Sequence, residues 1–218
     1  HNIVKTFSIQ QQSNEDKSID EVFDITTPSK YFMSRGFESG TMNYFGVGDC
    51  DTNCQMKDRA LIPIHNLQGD KVVGIIGRAT NEYRIPKFIF YPTGFNKNRY
   101  LYNYHKAVEH IHKTNSVIIV EGQGDVWKLH EAGVRNVVSI FGKSISQKQE
   151  EILQSLPITT IVVLTDNDQA GRESKIEIFR KLNRMFKLVF PKLTQKDIGE
   201  MKTKEIKENI LPQIRGLF

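Results

Sequence analysis

The amino-acid sequence predicts an α/β protein: a parallel sheet flanked by helices, preceded by a smaller, basic α+β subdomain. Three observations carry this. The β-branched runs Val117–Val120 and Ile161–Leu164 contain no polar residue, the pattern of strands hidden on both faces by helices. Helical stretches separate such runs, so their connections are right-handed crossovers between parallel strands. Each run also stops at acid, at Glu121-Gly122 and at Thr165-Asp166-Asn167-Asp168. In an open α/β sheet the carboxyl ends of the strands face a ligand crevice rather than a core, so these acids are candidates for chemistry.

The 218 residues suffice for a proper core and divide into an extended N-terminal arm (1–27), the basic α+β subdomain (28–112), the parallel-sheet unit (113–200) and a C-terminal helix (201–218). Thirty Lys and Arg against 25 Asp and Glu give a net charge of +5, a modest excess suited to a polyanionic partner. No apolar run approaches the roughly 20 residues of a membrane helix, and no secretory leader is present, which points to the cytoplasm and to no membrane partner. The first residue is His1 rather than Met, as in a fragment cut from a longer chain. Cys50 and Cys54 stand in C-x3-C spacing, with no second Cys pair and no His at finger spacing. No zinc is expected there; free thiols or a simple loop in a reducing compartment is the favoured reading.

In chain order, the polar arm ends at Pro28. Pro28 to Phe45 reads as two short helices split at Arg35-Gly36, with Tyr31, Phe32, Phe37, Met42 and Phe45 turned inward. Arg59 to Thr80 holds two apolar runs around Asn66-Leu67-Gln68-Gly69-Asp70, a hairpin signal. Arg59 and Arg78 lie at its open end, where guanidinium forks match phosphate. From Tyr83 to Tyr104 aromatics alternate with Arg84, Lys87, Lys97 and Arg99, a pattern suited to single-stranded nucleic acid, although aromatics more often fill cores. A connecting helix covers about Tyr104 to His112.

The parallel unit then alternates. Asp125 to Ala132 is a helix stopped by Gly133; Asn136 to Phe141 is a strand. Ser146 and Gln149 form a capping box opening a helix that Pro157 ends. Glu173 to Arg184 is the helix after the acids, Phe186 to Phe190 the last strand, and Thr203 to Leu211 a short helix before Pro212. Asp166 and Asp168, two apart in extended chain, share one side; their repulsion raises one pKa unless a divalent cation relieves it, and hard oxygen ligands favour magnesium or manganese.

Glu121-Gly122 with Asp125, followed by Asp166-Asn167-Asp168-Gln169-Ala170-Gly171-Arg172, resembles the Toprim domain, a Rossmann-like unit shared by bacterial-type primases, type IA and II topoisomerases and some nucleases. Leu129 to Asn136, Phe141-Gly142-Lys143-Ser144 and Tyr31 to Phe37 are similar to the DnaG-type primase branch. So are Arg59, Pro63, Ile64, Gly69, Gly74, Gly77 and Arg78, and Pro86-Lys87-Phe88 with Lys97, where Phe88 departs from the usual Tyr. The likeness runs from about Tyr31 to Glu200.

The resemblance implies RNA primer synthesis from NTPs on a single-stranded DNA template. Glu121, Asp125, Asp166 and Asp168 would be catalytic. Glu121, Asp166 and Asp168 would hold Mg2+, with Mn2+ as a substitute. Asp197 and Glu200 stand where the family places a further acidic pair, in looser spacing. Arg59, Arg78, Lys87 and Lys97 would bind nucleotide, RNA primer or template, and a replicative helicase would be met through regions absent here. Asp125 would order the end of the first strand or serve as an outer ligand. Two other readings compete: a Toprim-type metal-dependent nuclease, which has no need of the basic hairpin region, and a non-catalytic nucleic-acid-binding module, which has no need of Glu121, Asp166 and Asp168 together.

Overall fold

Residues 17–19, 25–50 and 56–216 are described by the structure, a computed structural model. Its N-terminal half is an antiparallel sheet in the order β1-β2-β3-β4-β5, formed by β1 (Ile25–Thr26), β2 (Gly48–Cys50), β3 (Arg59–His65), β4 (Val72–Ala79) and β5 (Phe88–Tyr91). The expected hairpin is β3–β4, turning through Gly69 at φ +79°. β1, β2 and β5 were not anticipated. They are short, and β5 is exposed or half-buried along its length, so no run of alternating or buried residues marks them. The remainder of the expected arm lies largely outside the described residues.

Helices α1 (Lys30–Ser34) and α2 (Ser39–Phe45) make the expected helical pair. Ser29 opens α1: its Oγ accepts from Phe32 N–H at 3.2 Å and donates to Asp49 on β2 at 2.5 Å. Phe32, Met42 and Phe45 are buried, whereas Tyr31 and Phe37 are half-buried.

The C-terminal half is a four-stranded parallel sheet in the order β7-β6-β8-β9. It is built from α3 (Tyr104–Thr114), β6 (Ser116–Val120), α4 (Gln123–Glu131), β7 (Val137–Ser139), α5 (Gln147–Gln154), β8 (Thr160–Leu164), α6 (Gln169–Leu182) and β9 (Lys187–Val189). Every residue of β6, β7 and β8 is buried, as continuous apolar runs require. Ser146 and Gln149 close the expected capping box on α5. Helix α6 begins at Gln169, four residues earlier than the sequence suggested, because Asp168 itself caps it.

One core joins the two sheets, with Ile62, Ile64 and Ile76 from the antiparallel side and Ile118, Val120, Val162 and Leu164 from the parallel side. Trp127 on α4 is its hinge point. Its ring meets Phe32 edge-on at 4.8 Å, and its Nε1–H donates to Tyr102 Oη at 3.0 Å. Lys128 on α4 adds a buried tie, donating to Gly36 C=O at 2.5 Å and to Glu131 at 2.8 Å, while Glu131 also accepts from Glu38 N–H. A second core packs the opposite face of the parallel sheet under α3, α5 and α6.

The cysteine reading is corrected. Cys50 is disulfide-bonded and no free cysteine occurs among the described residues, so the cysteines no longer argue for a reducing compartment. Cys54 lies outside the described residues. Among these residues no helix is long and apolar enough to cross a membrane.

Candidate active site

A cleft of about 550 Å³ opens where the parallel strands end and the antiparallel sheet faces them. Glu121, Asp125, Asp166, Asp197 and Glu200 line one side; Arg78, Lys87, Lys97 and Arg35 line the other.

The acids sit where strand geometry puts them. β6 and β8 are neighbours in register, Val120 opposite Leu164, so Glu121 and Asp166 leave the sheet side by side. Glu121 Oε1 accepts the N–H of Asp166 at 3.1 Å. Burial raises the pKa of Glu121, helped by the charges of Asp166 and Asp168 and opposed by that hydrogen bond. Burial also raises Asp166, with Asp197 and Asp168 adding repulsion, and its carboxylate accepts no hydrogen bond among the described residues. Asp168 moves the other way. Its Oδ1 takes the N–H of Gly171 at 2.7 Å at the start of α6, which lowers its pKa, and Lys143 lies 3.6 Å from Oδ2.

Gly171 explains its own place in the acidic motif. A Cβ there would lie 1.9 Å from the carbonyl oxygen of Asp166, so only glycine lets α6 start against the loop that carries both acids. Thr165 Oγ1 donates to Gly171 C=O at 2.9 Å and fastens the same contact.

Asp125 is a brace. One oxygen accepts from Gly122 N–H at 3.0 Å and the other from Gly199 N–H at 2.9 Å, tying the start of α4 to the Ile198–Glu200 turn. Burial pushes its pKa up to about 7, against the pull of both N–H groups. The same turn presents Asp197, whose Oδ1 caps it through Glu200 N–H at 2.8 Å.

The donor set fits a hard divalent cation. Glu121, Asp166, Asp168 and Asp197 each keep at least one carboxylate oxygen outside the hydrogen bonds described above. Among the described residues no three His, Cys, Asp or Glu side chains converge into a metal cage. Magnesium does not ask for one, since it is commonly held by one or two carboxylates plus water and substrate phosphate.

The cationic wall is built on rings. Arg78 lies 5.4 Å from the Tyr31 ring centroid and 5.1 Å from that of Phe88; Lys87 is 5.9 Å from Phe88, and Lys97 is 5.8 Å from Phe90. Lys97 also donates to Phe141 C=O at 2.6 Å, bridging the wall to the loop after β7.

Arg59 does not belong to this wall, contrary to the sequence reading. It pairs across the hairpin with Ala79, and Arg78 pairs with Ala60, so the two arginines point to opposite faces of the sheet. Arg59 is 3% exposed, and its guanidinium donates to Gly77 C=O at 3.1 Å and Pro86 C=O at 2.9 Å. Gly77 makes room for it: a Cβ there would come within 2.8 Å of Arg59 Cδ. Sequence reasoning placed Arg35 and Lys143 inside primase-like stretches but gave neither a role in the site, and it passed over Lys196; Arg35 lines the cleft, and the charges of Lys143 and Lys196 act on the acids.

The Toprim domain model matches residues 115–189, the stretch that carries Glu121, Asp166 and Asp168, and the chain thus holds a Toprim domain. Beyond that domain, the chain resembles the catalytic core of DnaG-type DNA primases in sequence and in fold. It is 34% identical over 125 residues to the DNA primase of Staphylococcus epidermidis, a match covering 56% of this chain and 20% of that protein. It matches part of a crystal structure of the Aquifex aeolicus primase that comprises zinc-binding and RNA polymerase domains, with a TM-score of 0.71 at 25% identity, covering 86% of this chain and 54% of that one. A DnaG primase catalytic domain bound to single-stranded DNA matches with a TM-score of 0.69 at 21% identity, over 84% of this chain and 69% of that one. The matched region is about a fifth of the length of the first of these relatives.

Proposed function

We propose that this chain is a primase catalytic core that synthesises RNA primers from NTPs on a single-stranded DNA template. The observation that carries the reading is the polarity of one cleft, with carboxylates at the parallel-sheet rim and ring-held cations opposite. A nucleoside triphosphate and a nucleic-acid backbone are both polyanions and need both walls: cations for phosphate, and acids for the metal that phosphate brings.

Glu121, Asp166 and Asp168, with Asp197 beside them, would hold Mg2+, or Mn2+ in its place. Bound there, the ion supplies charge neutralisation for the attacking 3′-hydroxyl and the departing pyrophosphate. The chain's own work is positioning, which phosphoryl-transfer chemistry chiefly demands. Arg78, Lys87 and Lys97 bind triphosphate or strand backbone, with Phe88 offering a half-exposed ring face. Asp125 holds the Asp197 turn against α4, and Glu200 lines the outer edge of the cleft as a looser metal ligand. A replicative helicase would be engaged through regions outside this chain, at the replisome in the cytoplasm.

The test supplies labelled ribonucleotides, Mn2+ and single-stranded DNA to the purified chain. Short RNA products are expected. Degraded template without RNA would overturn the reading in favour of a Toprim nuclease.

A further inference from the structure

Lys143 reaches the acidic rim by an unusual backbone path. Phe141 and Gly142, just past the end of β7, line the cleft and have φ of +60° and +148°, and Lys143 is the residue that follows them. Lys97 supports this loop from the opposite wall through Phe141 C=O. The Lys143 ammonium then lies 3.6 Å from Asp168 Oδ2, with the two side chains 47% and 38% exposed. The other oxygen, Oδ1, is already committed to Gly171 N–H. Lys143 therefore stands on the oxygen that Asp168 has left to offer a metal. Its charge also acts on Glu121 and Asp166.

We propose that Lys143 is a place-holding cation: it occupies Asp168 Oδ2 in the metal-free protein, yields that oxygen to a divalent ion, and then binds a phosphate oxygen of the incoming nucleoside triphosphate. The inference rests on the primase reading and adds a residue to it. Exchange is favourable in each direction it must run. An exposed ammonium–carboxylate pair at this separation is weak, whereas a divalent ion carries twice the charge and coordinates oxygen at about 2.0–2.1 Å. Once displaced, the ammonium swings on a flexible four-carbon stem with three donors, beside the place where the metal brings phosphate. Until then it moderates the repulsion among Glu121, Asp166 and Asp168 that burial aggravates.

The role predicts effects of opposite sign on two ligands, which a purely structural residue would not give. Free Mn2+ is followed by electron paramagnetic resonance during titration of the full chain. Lys143→Met should bind Mn2+ about two- to fivefold more tightly than wild type without nucleotide, because a competing exposed charge is gone. The same variant should bind the Mn2+ complex of a non-hydrolysable nucleoside triphosphate more weakly, and Lys143→Arg should restore much of that binding. Unchanged or weaker Mn2+ binding by Lys143→Met would overturn the inference alone, as would nucleotide affinity equal to wild type. Failure of the wild-type chain to bind Mn2+ at all would overturn the metal site beneath it.

Discussion

On the rim of the parallel sheet, carboxylates are fixed by main-chain N–H groups: Asp166 to Glu121, Gly171 to Asp168, Gly122 and Gly199 to Asp125. On the facing wall, cations rest against Tyr31, Phe88 and Phe90 rings, and Arg78 and Lys97 also donate to the carbonyls of Ala79 and Phe141. The first construction sets positions to a fraction of an ångström, because strand register and helix starts define where an N–H points. The second tolerates movement, because a ring offers a face rather than a single acceptor. The rim is thus suited to ions with strict coordination, and the wall to a run of phosphates held without a single fixed geometry.

The largest effect expected from this contrast is at the rim. Asp166→Ala or Glu121→Gln should lower ribonucleotide incorporation by at least about 10³-fold, since each weakens charge stabilisation of several kcal/mol at the reacting phosphate. Folding should survive, and for Asp166→Ala thermal stability should hold or rise, because a repelled, unpaired carboxylate is removed. Full incorporation by either variant, measured with labelled nucleotide, would break the comparison.

An intermediate effect separates the two arginines of the β3–β4 hairpin. Arg59→Met strands two carbonyls that Arg59 now satisfies, and should cost about 1–3 kcal/mol in urea unfolding. Single-stranded DNA affinity at temperatures where the variant is folded should be little changed. Arg78→Met should do the reverse, losing binding with a small change in stability. A shared phenotype would show that hairpin parity does not sort these residues.

The smallest effect sharpens the wall. Lys87→Ala with Lys97→Ala should lessen the dependence of log affinity for single-stranded DNA on log salt by about one to two charges' worth, read from titrations at several salt concentrations. An unchanged slope would remove both lysines from the phosphate path.

Much of the parallel unit was legible in the sequence, and the reason is physical. Strands buried on both faces must be apolar throughout, helix starts carry caps such as Ser146 with Gln149, and the acids follow the strands directly. The antiparallel half was less legible. Gly48–Cys50 is too short to leave a pattern and Phe88–Tyr91 is short and exposed or half-buried, so both reveal themselves only through the neighbours they pair with. Arg59 was misplaced because two residues at the same end of a hairpin look alike until register is counted. Lys143 stood in a primase-like stretch but received no role, because its partner, Asp168, is distant in sequence and near only once β7 and β8 flank β6.

Gly171 carries a consequence for anyone who would transplant this acidic rim. With the helix backbone touching the carbonyl of Asp166, the two aspartates and the first turn of α6 behave as a single casting. The acids cannot be shifted, spaced or borrowed one at a time, and a scaffold meant to receive them would have to accept the entire strand end, loop and opening helical turn as one inherited part.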